Sequence, residues 1–266
     1  MDKTKIKTII FKEWAEVFKN RLVLFTVIFL PLIMVVLPLG TLASMNSWGD
    51  PTSQAPLDES SQQFFGELCV GLSEYDCTQV YTLNLFTLML MILPVTIPVT
   101  IAAYSIVGEK TAHSLEPLLA TPITTEELVI GKTIAAVLPA IIATWLAFAI
   151  YLLGARLMVT STIFAYLLAP LWLIAIFIDS PLLTLMSVAI ALMVSSRVSD
   201  PRVAEQLSAV VVLPVIMLLV GQSVGFILID QKIIMILGAA VAVLDVALVY
   251  FSVKVFQRET ILTRWK

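Results

Sequence analysis

Apolar residues in this chain gather into runs of twenty or more, far longer than the alternating or one-sided patterns of a soluble domain. Five of these runs carry almost no charge: Leu22 to Met45, Val80 to Gly108, Thr133 to Ala155, Gln206 to Ile229, and Ile233 to Val253, which only Asp245 interrupts. Each supplies the ~20 residues that a helix needs to cross a hydrocarbon core. The region Leu157 to Ser196 is longer still, and Asp179 is its single charge.

The polar segments between the runs have characters of their own. In residues 3 to 19, Ile6, Ile9, Ile10, Trp14, Val17 and Phe18 recur at helical spacing among Lys3, Lys5, Lys7, Lys12 and Lys19, the pattern of an amphipathic helix lying on anionic headgroups. The apolar run that follows is too long for a signal peptide and lacks a small-residue cleavage site, so helix and first span are expected to be retained. From Asn46 to Gln79 there are six acids (Asp50, Asp58, Glu59, Glu67, Glu74, Asp76) and neither Lys nor Arg. From Gly108 to Lys132 a charged island separates two spans; within it Leu115, Leu118 and Leu119 lie on one face of a short surface helix, with Glu109, Lys110 and Glu116 left for water. Thr121 and Pro122 end that turn, and Thr124 with Glu127 spells a capping box that opens the next helix.

Charge sets the orientation and the span count. Two crossings within Leu157 to Ser196 would leave nine Lys and Arg on one side against seven on the other; one net crossing places all but Arg156 and Lys232 of the 16 basic residues on the same side. Basic loops stay in the cytoplasm, so six spans follow, with both termini and the 108–132 loop cytoplasmic and the acidic 46–79 loop outside. The surplus, Leu157 to Leu173, is then either a re-entrant or interfacial piece on the outer side or part of a long tilted fourth helix. Composition agrees: 266 residues that are 59% hydrophobic and 13% charged, with a mean hydropathy of +1.00, describe a polytopic membrane protein with no room for a soluble catalytic domain. The net charge of −3 gives no reason to expect a nucleic-acid partner. Cys69 and Cys77, eight apart in the outer loop, are placed to close a small disulfide on an oxidising face, with two free thiols as the alternative.

Three stretches carry a resemblance. The run Glu109-Lys110, Ser114-Leu115-Glu116-Pro117-Leu118-Leu119-Ala120-Thr121-Pro122, Glu126-Glu127-Leu128 and Gly131-Lys132 is similar to the first cytoplasmic loop of type-2 ABC transporter permeases, with His113 where many members have glycine. Ser195 to Gln206, with Arg197, Asp200, Pro201 and Arg202, resembles the second cytoplasmic loop of that family, and Phe256 to Lys266 resembles its C-terminus. The resemblance implies a coupling helix in the 108–132 loop, with Glu109, His113, Leu115, Glu116, Leu118 and Leu119 facing a separate ATPase subunit. It also implies a second permease chain, identical or not, and an export direction.

Other chemistry finds little support in the residues. Gly131-Lys132-Thr133 mimics the end of a phosphate-binding loop, but Glu126 stands where that motif needs glycine and a helix runs through it. ATP and magnesium are therefore assigned to the partner, and no cofactor or metal to this chain. His113 is the lone histidine, too few for a zinc site or a His-based triad. Asp179 and Asp245 are the ionisable residues deep in the spans, and each is a functional candidate or a structural hydrogen-bonder. Eight prolines in apolar runs are expected to bend helices, and Gly221 with Gly225 offers a small-residue helix contact.

The reading is an all-α polytopic membrane protein of a single domain. It has an interfacial helix at 1–21, spans at 22–45, 80–107, 133–155, 174–196, 206–229 and 233–253, an extracellular loop at 46–79, a coupling loop at 108–132 and a cytoplasmic tail at 254–266. Its function is expected to be that of a transport permease. The alternatives are a membrane scaffold and, with least support, an intramembrane enzyme using Asp179 or Asp245.

The charge count generates a direct test of topology. Cysteines placed at Thr4 and Thr263 are expected to resist a membrane-impermeant thiol reagent in intact cells while one at Ser53 reacts; labelling of position 263 from outside contradicts six spans.

Overall fold

The computed structural model describes residues 2–48, 69, 71–111, 123–226 and 229–255, and among these the chain is entirely helical, with six helices long and apolar enough to cross a membrane. The first helix, α1 (Lys3–Val17), is capped by Asp2, whose side chain accepts from the Thr4 N–H at 2.9 Å. A turn at Phe18 to Asn20 leads into α2 (Arg21–Trp48), the first span.

The second crossing, Glu74 to Glu109, is a helix in two pieces, α3 (Glu74–Leu90) and α4 (Leu93–Thr111). The junction at Met91 and Ile92 falls just before Pro94, which has no N–H to carry a helix across it. The third crossing is a single long helix, α5 (Thr125–Met158), opened by the capping box of Thr124 and Glu127 that the sequence spells. At 34 residues it spans about 51 Å at 1.5 Å per residue, well over a hydrocarbon core of about 30 Å, so its first turns stand outside the apolar layer.

The fourth crossing is broken. Two short helices, α6 (Ser161–Leu167) and α7 (Pro170–Ile174), precede a π turn at Ala175–Asp179 and then α8 (Ser180–Ser195). Pro170 and Pro181 account for the interruptions. Pro170 opens α7, and Pro181 withdraws the N–H that α-geometry would need, so the preceding turn widens and the Ser180 N–H reaches back five residues to the Ala175 carbonyl. The freed Ile176 carbonyl accepts from the Ser180 hydroxyl at 2.6 Å and from the Trp145 indole at 3.1 Å. The fifth crossing runs α9 (Pro201–Ser208), a 3₁₀ turn (Ala209–Val212) and α10 (Leu213–Ser223); the sixth is α11 (Gln231–Val255).

The expected contact through Gly221 and Gly225 is not what these glycines do. Gly225 lies past the end of α10 with φ of 76°, and the Phe226 N–H bonds the Gly221 carbonyl at 2.8 Å while the Gly225 N–H bonds Gln222. The pair closes the helix terminus, where only glycine adopts the left-handed conformation without strain.

At the centre sits α4, packed against α8 and α5, with Ile97, Ile101 and Ile106 fully enclosed. Further polar bonds tie the far end: Trp172 donates its indole N–H to Asn84 Oδ1, Tyr151 donates to the Leu83 carbonyl at 3.2 Å, and the Asn46 amide donates to the Met158 carbonyl at 2.7 Å. By contrast α2 and α11 turn long apolar stripes outward, including Phe25, Phe29 and Val36 on one and Val243, Val246 and Tyr250 on the other, as helices facing lipid do.

At that end Cys69 and Cys77 are joined as a disulfide with Cα atoms 5.2 Å apart, and Gly71, at φ 79°, makes the turn between them. Intact-mass analysis is expected to show both thiols protected from alkylation until reductant is added, and replacing both by Ala is expected to cost about 2 kcal/mol for a loop this short. Full alkylation without reductant contradicts the bond.

Candidate functional site

The most densely bonded polar cluster lies where α1 crosses the ends of α4 and α5. It begins with an anomaly on α1: the buried stripe of this amphipathic helix is Ile9, Glu13 and Val17, so a carboxylate occupies the middle of its apolar face. Burial of a lone carboxylate is costly, and the cost is met only by pairing and hydrogen bonds. Lys132, two turns into α5, supplies the pair, with Nζ 2.6 Å from Glu13 Oε1.

The same ammonium forms an ion pair at 2.8 Å with Glu109 Oε2 near the end of α4 and donates to Ser105 Oγ at 2.9 Å. The Ser105 hydroxyl in turn donates to Glu13 Oε2, closing a ring. Lys12, the neighbour of Glu13 on α1, reaches the other oxygen of Glu109 at 2.8 Å. Burial would lower the Lys12 pKa, but the hydrogen bond and charge of Glu109 outweigh it and hold Lys12 above an ordinary lysine. Two ammonium groups and two carboxylates thus balance in a site that is closed to water on the Lys132 side.

Backbone contacts fix the same joint. The Trp14 indole donates to the Ala135 carbonyl at 2.9 Å, and the Asp2 N–H donates to Glu127 Oε1 at 2.8 Å. Helix α1 approaches α5 so closely at Gly131 that a Cβ there would come within 2.7 Å of Ile9 Cγ2. Helix α1 is therefore a structural part of the bundle as well as a surface helix.

The cluster brackets the island between the second and third spans. Glu109 and Lys132, assigned from sequence to a surface loop, are buried and paired with each other, because α4 continues to Thr111 and α5 starts at Thr125. His113, Leu115, Glu116, Leu118 and Leu119 lie outside the described residues. The other polar stretch converges on the same place. Asp200 caps α9, accepting from the Arg202 N–H at 2.8 Å, and α9 seats Ala204 against Ala103 and Val107 of α4, on the stretch that leads to Glu109. Thr100 on α4 donates to Glu205 of α9. Arg197, Asp200 and Arg202 are all exposed beside it.

The two intramembrane acids lie elsewhere and not together with this cluster. One stripe of α11 faces the bundle: Ile234, Gly238, Val241, Asp245, Leu248 and Ser252, spaced four and three apart as in a knobs-into-holes seam. Asp179, at the end of the π turn, presses its carboxylate onto Gly238, where any Cβ would overlap it. Asp245 stands two turns further along, buried, with no hydrogen-bond partner for either oxygen among the described residues.

Sequence reasoning missed Glu13, Ser105 and the roles of Lys12 and Lys132. The available signal was Glu13 itself, an acid at i+4 from Ile9 and i−4 from Val17 on the side where only apolar residues belong.

A family model described as ABC-2 family transporter protein matches residues 7–237. No curated protein matches the chain.

Removing the shared cation leaves Glu13 and Glu109 buried beside one another. Lys132→Met is expected to destabilise the chain by about 3–5 kcal/mol, read as denaturant unfolding in detergent. Adding Glu13→Gln restores charge balance around Glu109 and Lys12 and is expected to recover much of the loss; equal effects of the single and double variants contradict a coupled ring.

Proposed function

The chain belongs to the ABC-2 transporter family, a multi-pass membrane protein with a permease's role, and from that footing we propose that it is the membrane half of an exporter driven by a separate ATPase subunit. Two such chains enclose the pathway, with both termini and the 112–124 connection on the cytoplasmic side. Docking of the ATPase uses Leu115, Leu118 and Leu119 as apolar anchors, with Glu116 and His113 at their edge, and the second contact runs along Arg197, Asp200 and Arg202. ATP and magnesium are bound by the partner.

The observation that supports this reading best is the buried Glu13, Glu109, Lys132 and Ser105 ring. A permease has to turn a push on a short loop into movement of whole helices, and a loop that hangs from flexible ends would absorb the push. Here both helices that bear the loop are locked to each other and to α1 by charges that cannot separate without being stranded away from water. A displacement of the loop is carried to α1, α4 and α5 together, and through Ala204 and Glu205 to α9.

Leu118→Asp tests the docking. An apolar side chain that is fully covered contributes roughly 1.5–3 kcal/mol, so the variant is expected to weaken ATPase association at least tenfold, since each 1.4 kcal/mol is a factor of ten. Co-purification and ATP hydrolysis are the readouts, with unchanged membrane insertion as the control. A chain that binds no ATPase, or a variant that binds and stimulates it equally, contradicts the proposal.

A further inference from the structure

Between α2 and α5 the bundle opens into an apolar groove of about 620 Å³. Its base is formed by Trp14 and Phe18 of α1, its walls by Val27 to Leu39 of α2 and Pro139 to Ile150 of α5, with Ala143 and Ala147 as its floor. Near the disulfide end the helices touch, because Leu39 sits in the notch left by Gly154, where a Cβ would come within 2.5 Å of Leu39 Cδ1. Towards α1 the walls carry Pro31 of α2 and Pro139 of α5.

We propose that this groove seats an acyl chain of an anionic phospholipid from the leaflet on the α1 side, with the headgroup held by Lys19 and Arg21. Three features favour that occupant. The walls are apolar along the whole length, so the groove suits a hydrocarbon chain. Its α2 wall begins at Val27, about 9 Å along the helix from Arg21, and ends at Leu39, about 27 Å from Arg21 at 1.5 Å per residue, so it has room for a chain that crosses the about 15 Å of one leaflet. Trp14 and Phe18 bring the α1 end of the groove to the α1–α2 turn, so a chain entering from that end has its headgroup there. That turn presents Lys19 and Arg21, both exposed and neither in an ion pair among the described residues, immediately after Phe18 of the groove. Each such cation near an anionic headgroup favours it appreciably.

A second copy of the chain fits less well. A two-fold contact sets the same surface against itself, which brings the basic rim of Lys19 and Arg21 against its own image. The lipid would fill the space between α2 and α5 and pack against Trp14 and Phe18 of α1. The inference depends on the chain spanning a membrane and not on what it transports.

The test uses the full chain in nanodiscs of phosphatidylcholine containing a minor fraction of phosphatidylglycerol that bears a photoreactive group within its acyl chain. After irradiation, adducts are mapped by mass spectrometry. They are expected to concentrate on residues 27–39 and 142–150 and to be displaced by unlabelled phosphatidylglycerol but not by phosphatidylcholine. Lys19→Gln with Arg21→Gln, both at exposed positions and so harmless to folding, is expected to lower the preference for the anionic lipid at least tenfold. Ala143→Phe, which fills the floor, is expected to remove the adducts. Adducts spread evenly over α2, α10 and α11, or a preference unchanged by the charge variant, overturn the proposal. So does efficient cross-linking between two copies through a cysteine at Val36, which would assign the groove to a second chain.

Discussion

An ammonium group taken out of water must find an acceptor for each of its three protons and an opposite charge close by, or it destabilises the fold by several kcal/mol. Lys132 is satisfied by hydrogen bonds to Glu13 and Ser105 and an ion pair with Glu109, residues from two separate segments: α1, and two positions one turn apart on α4. Its position is thereby fixed by distant parts of the chain. The arrangement dictates where α1 lies, how far α4 and α5 continue past the apolar layer, and how the connection between them is held. Apolar contact alone would not do this, because lipid tails compete with side chains for apolar surface and leave little driving force between helices in a membrane.

The spans were legible because the bilayer imposes a minimum apolar length, and a run such as Ile233 to Val253 has no other stable environment. A helix start was legible where a side chain caps it locally, as at Thr124 with Glu127. The region Leu157 to Leu173 was not, since its composition suits either form offered. In the structure it becomes two short helices whose Ile163, Leu167 and Trp172 are enclosed, with the interruptions set by Pro170 and Pro181.

The candidate site was legible only in outline. Glu109 and Lys132 stood out as polar residues beside a span, but their burial depends on α1, more than ninety residues distant from either. Pairing across that separation leaves no periodic trace in sequence. The Gly221 and Gly225 reading failed for a different reason: the same spacing serves close helix contact and helix termination, and only the sign of φ at Gly225 separates the two.

The contact of Asp179 with Gly238 bears on how many independent bodies the bundle contains. Because a carboxylate fills the place of a side chain, α11 has one azimuth and one height at which it fits against the π turn; a slip of one residue would bring Leu237 or Ala239 to the notch. Helices α8 and α11 are therefore keyed, free to tilt together but not to roll or slide past each other. Relative motion has to be accommodated at the unkeyed seams, and the bundle has fewer ways to rearrange than its number of crossings suggests.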